Sequence, residues 1–143
     1  MKTATTIARI LLGVIFVVFG LNGFLHFLPQ PAMPPAAVAF FGALAATGYM
    51  LPLIFGTQLV GGTLLLLGLV PLGVLVLAPV IVDIVGFHVF LAPDGLPLAL
   101  VVTALALFLA WIHREAYRPL LATSVGPRAG LRTTASEPAR SRA

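Results

Sequence analysis

The chain has 143 residues, 60% of them hydrophobic and 8% charged, against about 25% charged in an ordinary soluble domain, so a water-soluble globule is excluded. Its net charge is +4, but the cations sit at the ends, Lys2 and Arg9 at one and Arg114 onward at the other, with only Asp83 and Asp94 charged between them. These cations read as topology signals and contacts to anionic lipid headgroups, not as a nucleic-acid surface. Without cysteine the chain offers no disulfide, thiolate metal site, iron–sulfur cluster or catalytic thiol.

A membrane-crossing helix needs roughly 20 mainly apolar residues, so residues 7–113 have room for four. The expected fold is an all-α integral membrane protein: an antiparallel four-helix transmembrane bundle with a short extra helix between spans 1 and 2. The membrane domain covers 1–121, with spans at about 7–27, 51–70, 72–91 and 96–112. A disordered basic tail, 122–143, follows.

The first span opens on a cationic start and an apolar body but lacks a small-x-small cleavage site, so it reads as an uncleaved helix. Pro29, Pro31, Pro34 and Pro35 then remove backbone donors and stop it. Ala36 to Thr47 is apolar but covers only about 18 Å, which predicts a short helix on the membrane surface or in the bundle mouth, with Gly48 as cap. Gly56, Gly61, Gly62 and Gly68 mark the second span as one packed closely on other helices. A tight turn around Gly68-Leu69-Val70-Pro71 leads to the third span, where Pro79 predicts a kink. Turn residues Ala92-Pro93-Asp94-Gly95 precede the fourth, and Trp111, His113 and Tyr117 mark an interfacial belt. Basic residues flank both chain ends while the 28–50 segment carries no charge, so both termini are expected in the cytoplasm of a multi-pass inner-membrane protein.

That topology carries Asn22, His26, Gln58, Asp83 and His88 toward one leaflet, as a candidate ligand pocket. Asn22 and His26, four apart, share a helix face. Asp83 and His88, five apart, are separated by about 140° and need not. An ionisable group in a membrane helix is costly and is paired, kept neutral or functional, which makes Asp83 the sharpest of the five, although a bundle hydrogen bond would explain it equally. The histidines near helix ends read first as interfacial residues, and they match no metal motif. No hydrolase triad, phosphate loop or nucleotide fingerprint is present, and no catalytic residue is assigned.

Ala8-Arg9-Ile10-Leu11-Leu12-Gly13 with Phe19-Gly20-Leu21-Asn22-Gly23, the run Gln58 to Gly68, and Pro79 to Pro93 with its Asp83 and Phe87-His88 resemble, in this order, the DoxX family of small four-span membrane proteins, over residues 7–115. Many relatives carry Glu at the place of Gln58 and Asn at that of Asp83. The resemblance implies a bacterial inner-membrane partner or non-catalytic subunit of a redox or stress-response system. Together with the polar pocket it leads to a quinone-like or other small amphipathic ligand, a redox-enzyme partner and a homo-oligomer as expectations. The alternatives are a structural or assembly protein without ligand and a small oligomeric transporter.

Overall fold

The computed structural model describes residues 2–29 and 32–121, which are helical apart from short connections. The elements are α1 (Lys2–Leu25), α2 (Pro35–Ala46), α3 (Met50–Leu66), α4 (Val70–Phe90), a 3₁₀ turn (Pro93–Gly95), α5 (Leu96–Ile112) and α6 (Arg114–Leu121). Four of them close a ring: α1 packs on α3, α3 on α4, α4 on α5, and α5 back on α1. The expected tail, 122–143, lies outside the described residues.

Three stretches, Lys2–Leu25, Val70–Phe90 and Pro93–Ile112, are long and apolar enough to cross a membrane. The 17 residues of α3 cover about 26 Å, and α2 joins them across a 94° bend, the pair making a fourth apolar unit. The sharp bend sets α2 crosswise at one end of the bundle, where the sequence places its short extra helix. Pro79 lies inside α4, which continues as one helix through it on the exposed face.

Helix α3 stops at Leu66, four residues before the apolar run ends, because Gly68 takes φ +89°. The Leu69 N–H then reaches the Leu64 carbonyl at 2.9 Å and the Gly68 N–H reaches Leu65 at 3.0 Å, the Schellman closure that a residue without Cβ permits. Arg9 completes it from the neighbouring helix. Its Nη1 donates to the Leu65 and Leu66 carbonyls at 3.2 and 3.1 Å, placing a cation on the negative end of α3.

Leu12, Phe16, Leu65, Leu77 and Leu109 are sealed inside the ring, while Ile7, Phe19, Leu75, Val82 and Leu107 point outward. Helices apolar on every side fit a bundle whose solvent is lipid. Two glycine seams set the interhelical spacing. Between α1 and α3, a Cβ at Gly62 would lie 2.9 Å from the Gly13 carbonyl oxygen and from the Val17 nitrogen, and one at Gly20 would lie 2.9 Å from the Leu59 nitrogen. Between α3 and α4, a Cβ at Gly61 would meet the Leu77 side chain at 2.5 Å, and one at Gly73 would lie 3.1 Å from the Gly61 carbonyl. Of the four glycines expected to face other helices, Gly61 and Gly62 do so, Gly68 serves the turn, and a Cβ on Gly56 would meet nothing.

Helix α6 is tied back to the bundle by Tyr117, whose hydroxyl donates to the Pro71 carbonyl at 3.0 Å. Its charged face is internally paired, Arg118 with Glu115 at 2.8 Å, and the Arg114 guanidinium lies 5.3 Å from the Trp111 ring centre.

Two measurements test this account. Gly62→Leu should lose about 1–3 kcal/mol of stability by overpacking, whereas Gly42→Leu, where a Cβ meets nothing, should melt in detergent like the parent. Burial raises the Tyr117 phenol above its ordinary value of 10.0. Because the folded value is raised, the stabilising contribution is complete below pH 10 and is lost as pH climbs through the folded value. In Tyr49→Phe protein, which keeps Tyr117 as its one tyrosine, the phenolate absorbance should titrate above 10 when folded and shift downward on denaturation.

Candidate functional site

The five polar residues expected to converge take separate positions at the end of the bundle that carries α2. Asn22, buried in α1, closes the end of its own helix. Its carbonyl accepts the His26 N–H at 2.8 Å, and its Oδ1 accepts the Leu28 N–H at 2.7 Å. This makes His26 the left-handed residue that terminates α1, with φ +53°, and leaves its side chain exposed. The pair share a turn as the spacing implies, but the bond between them is main chain to main chain.

His88 performs the same service for α4. Its Nδ1–H donates to the Ala92 carbonyl at 2.9 Å, which also accepts the Gly95 N–H at 3.2 Å. A Cβ on Gly95 would collide with the His88 ring, so that glycine is what allows the imidazole to fold over the turn.

Gln58 and Asp83 differ from these three. Gln58 is 6% exposed on the inner face of α3 that also carries Gly61, Gly62 and Leu65, and its amide makes no side-chain hydrogen bond among the described residues. Asp83 is exposed on the outside of α4, beside Val82 at 72% exposure, and likewise has no side-chain hydrogen bond or ion pair there. It lies seven residues before the end of α4, about 10 Å along the axis. That depth is within the apolar band, on the side facing away from the core.

The surface around Asp83 has a shape. An apolar groove of about 270 Å³ runs between α3 and α4, lined by Pro52, Leu53, Gly56, Thr57, Val60 and Val76. Asp83 and Phe87 lie seven and eleven residues beyond Val76, within about 20° of the same helix face. Phe87 packs against Phe40 and Phe41 of α2, with ring centres at 5.8 and 5.1 Å. This face of α4 therefore carries, in order, the groove-lining Val76, the Asp83 carboxylate and Phe87, which packs on α2. The Thr57 hydroxyl in the groove wall donates to the Leu53 carbonyl at 2.8 Å, spending its proton on its own helix.

The aromatic cluster of Phe40, Phe41 and Phe87 was missed in the sequence, where Phe40-Phe41 read only as part of a short apolar helix. Its signal was the adjacency of two rings on a helix too short to span. No family model matches the chain, and no curated protein or solved structure matches it.

The role of His26 as a helix terminator is tested by His26→Gly. Removing the Cβ relieves a left-handed conformation that costs about 1–2 kcal/mol for ordinary residues and less for His, so the variant should melt at or above the parent temperature. His26→Val should melt lower, and a His26→Gly protein that melts several degrees lower would show the imidazole to be a needed contact.

Proposed function

We propose that this is a DoxX-like multi-pass protein of the bacterial inner membrane with both termini in the cytoplasm, a non-catalytic membrane subunit or partner of a redox or stress-response system. Its proposed ligand is a quinone-like amphipathic molecule that enters the α3–α4 groove from the bilayer. The observation that carries this reading is Asp83: a carboxylate without a partner among the described residues, exposed on the outer side of α4, on the same helix face as the groove-lining Val76 and as Phe87, which packs on α2. Burying a lone carboxylate among hydrocarbon is expensive, and a quinol hydroxyl offers it a donor while the ring and tail fill the groove. The order of the family-like segments along the chain and the ring of four helices support the family part of the reading.

The same exposed carboxylate favours a second reading, an assembly protein in which another copy of the chain covers α4. The two are separated by filling the groove without disturbing the fold. Gly56→Leu places a side chain where a Cβ meets nothing, so it should fold normally. If the groove binds quinone, the amount co-purifying from native membrane, measured by mass spectrometry, should fall at least about tenfold, the equivalent of about 1.4 kcal/mol. Asp83→Asn should also fold and lose retention of the quinol form more than of the quinone. Equal quinone content in wild type and Gly56→Leu would discard the groove as the site. A loss of oligomer in Asp83→Asn with no quinone in any sample would favour the assembly reading.

A further inference from the structure

At the opposite end of the bundle, the start of α1, the α3–α4 turn and the end of α5 enclose an open cavity of about 510 Å³. Its polar wall comes from Lys2, Thr5, Thr6, Arg9 and His113, with Gly68, Val70 and Ile112 supplying the rest, and no carboxylate among the described residues lines it. We infer that this cavity is a binding site for an anionic phosphodiester, the headgroup of an acidic phospholipid in the adjoining leaflet.

Three features converge on an anion. First, α1 begins here with no acidic residue in its first turn, so the positive pole of a 24-residue helix lies at the cavity without a counter-charge from its own first turn. Second, the cations are not spent. Arg9 uses Nη1 on the α3 carbonyls, which fixes the guanidinium in place and leaves Nη2 and Nε to bind, the fork geometry suited to phosphate oxygens. His113 donates Nδ1–H to the Leu109 carbonyl at 2.9 Å, which holds its ring in the cavity wall. Third, the nearest acid along the chain, Glu115, is engaged by Arg118 and Arg114 and cannot neutralise the cavity from α6.

The surroundings favour a lipid as the source of the phosphate. The rim at Gly68 is flanked by Leu67 and Leu69, 71% and 51% exposed, and Ile7 and Ile10 stand outward along α1. A headgroup seated between Lys2 and Arg9 would lay its acyl chains along this apolar surface. Basic pockets between membrane helices take acidic headgroups on this principle, and the volume lies within the range of small-molecule sites. A zwitterionic choline headgroup would bring its own cation against Lys2 and Arg9. This inference does not depend on the quinone reading, which concerns the other end of the bundle.

The test uses native mass spectrometry of the full chain in detergent, titrated with dioleoylphosphatidylglycerol or dioleoylphosphatidylcholine, with inorganic phosphate as competitor. Lys2 is exposed at the first turn, so Lys2→Gln should fold like the parent, checked by its melting curve. The expected result is retention of phosphatidylglycerol over phosphatidylcholine, weakened about fivefold by Lys2→Gln and unchanged by Lys2→Arg, which keeps the cation at the same place. Equal retention of the two lipids, or equal weakening by both substitutions, would overturn the site. Displacement of phosphatidylglycerol by phosphate at equal concentration would overturn the lipid assignment and make free phosphate the ligand.

Discussion

Backbone touches backbone where α1 crosses α3, at Gly13, Gly20 and Gly62, and the positions of the other elements follow from that contact. Between helices in lipid there is no hydrophobic drive to associate, so close van der Waals approach has to supply it. Side chains as small as alanine would hold these two helices apart. With the seam closed, Arg9, one turn before Gly13, comes within reach of the last carbonyls of α3. The second seam, Gly61 and Gly73 against Leu77 and Leu65, then sets α4 on the other side of α3. The cap, the turn at Gly68 and the cationic cavity are consequences of α1 and α3 lying in this register.

The apolar band and its breaks were legible in the sequence because they depend on composition alone. Four proline residues between 29 and 35 announce the loop before α2, and Pro93-Asp94-Gly95 announces the turn before α5. What could not be read is rotation. Helices α3, α4 and α5 are apolar on all sides, so no hydrophobic stripe tells which face of α4 meets the core, and Asp83 turns out on the exposed face while Gln58 turns inward. The same blindness merges Gly56 with Gly61 and Gly62, although one is open and the others are seam residues. The end of α3 was misjudged for a different reason: Leu67, Leu69 and Val70 continue the apolar run, and the positive φ at Gly68 overrides it.

Asn22, His26 and His88 show how a correct depth can still mislead about chemistry. In hydrocarbon or near it, a free backbone group costs several kcal/mol, so polar side chains near helix ends are drawn first to main-chain partners. Asn22 takes the Leu28 N–H and His88 takes the Ala92 carbonyl, while the Asn22 carbonyl takes the His26 N–H. What remains for a ligand is whatever those closures do not consume, which at this end is Asp83 on the outside and the Gln58 amide within.

The groove beside Asp83 owes its shape to packing more than to any loop. Gly56 lies one to two turns from Gly61 along α3, and the α3–α4 distance at that level is fixed by the contact of Gly61 with Leu77. At the α2 end, the 94° bend between α2 and α3 brings Phe40 and Phe41 against Phe87. The cleft is walled by side chains of two helices held together by a glycine seam, with no loop residue in its lining. A flat molecule entering it therefore gives up less free energy to ordering the protein than one binding to a flexible loop.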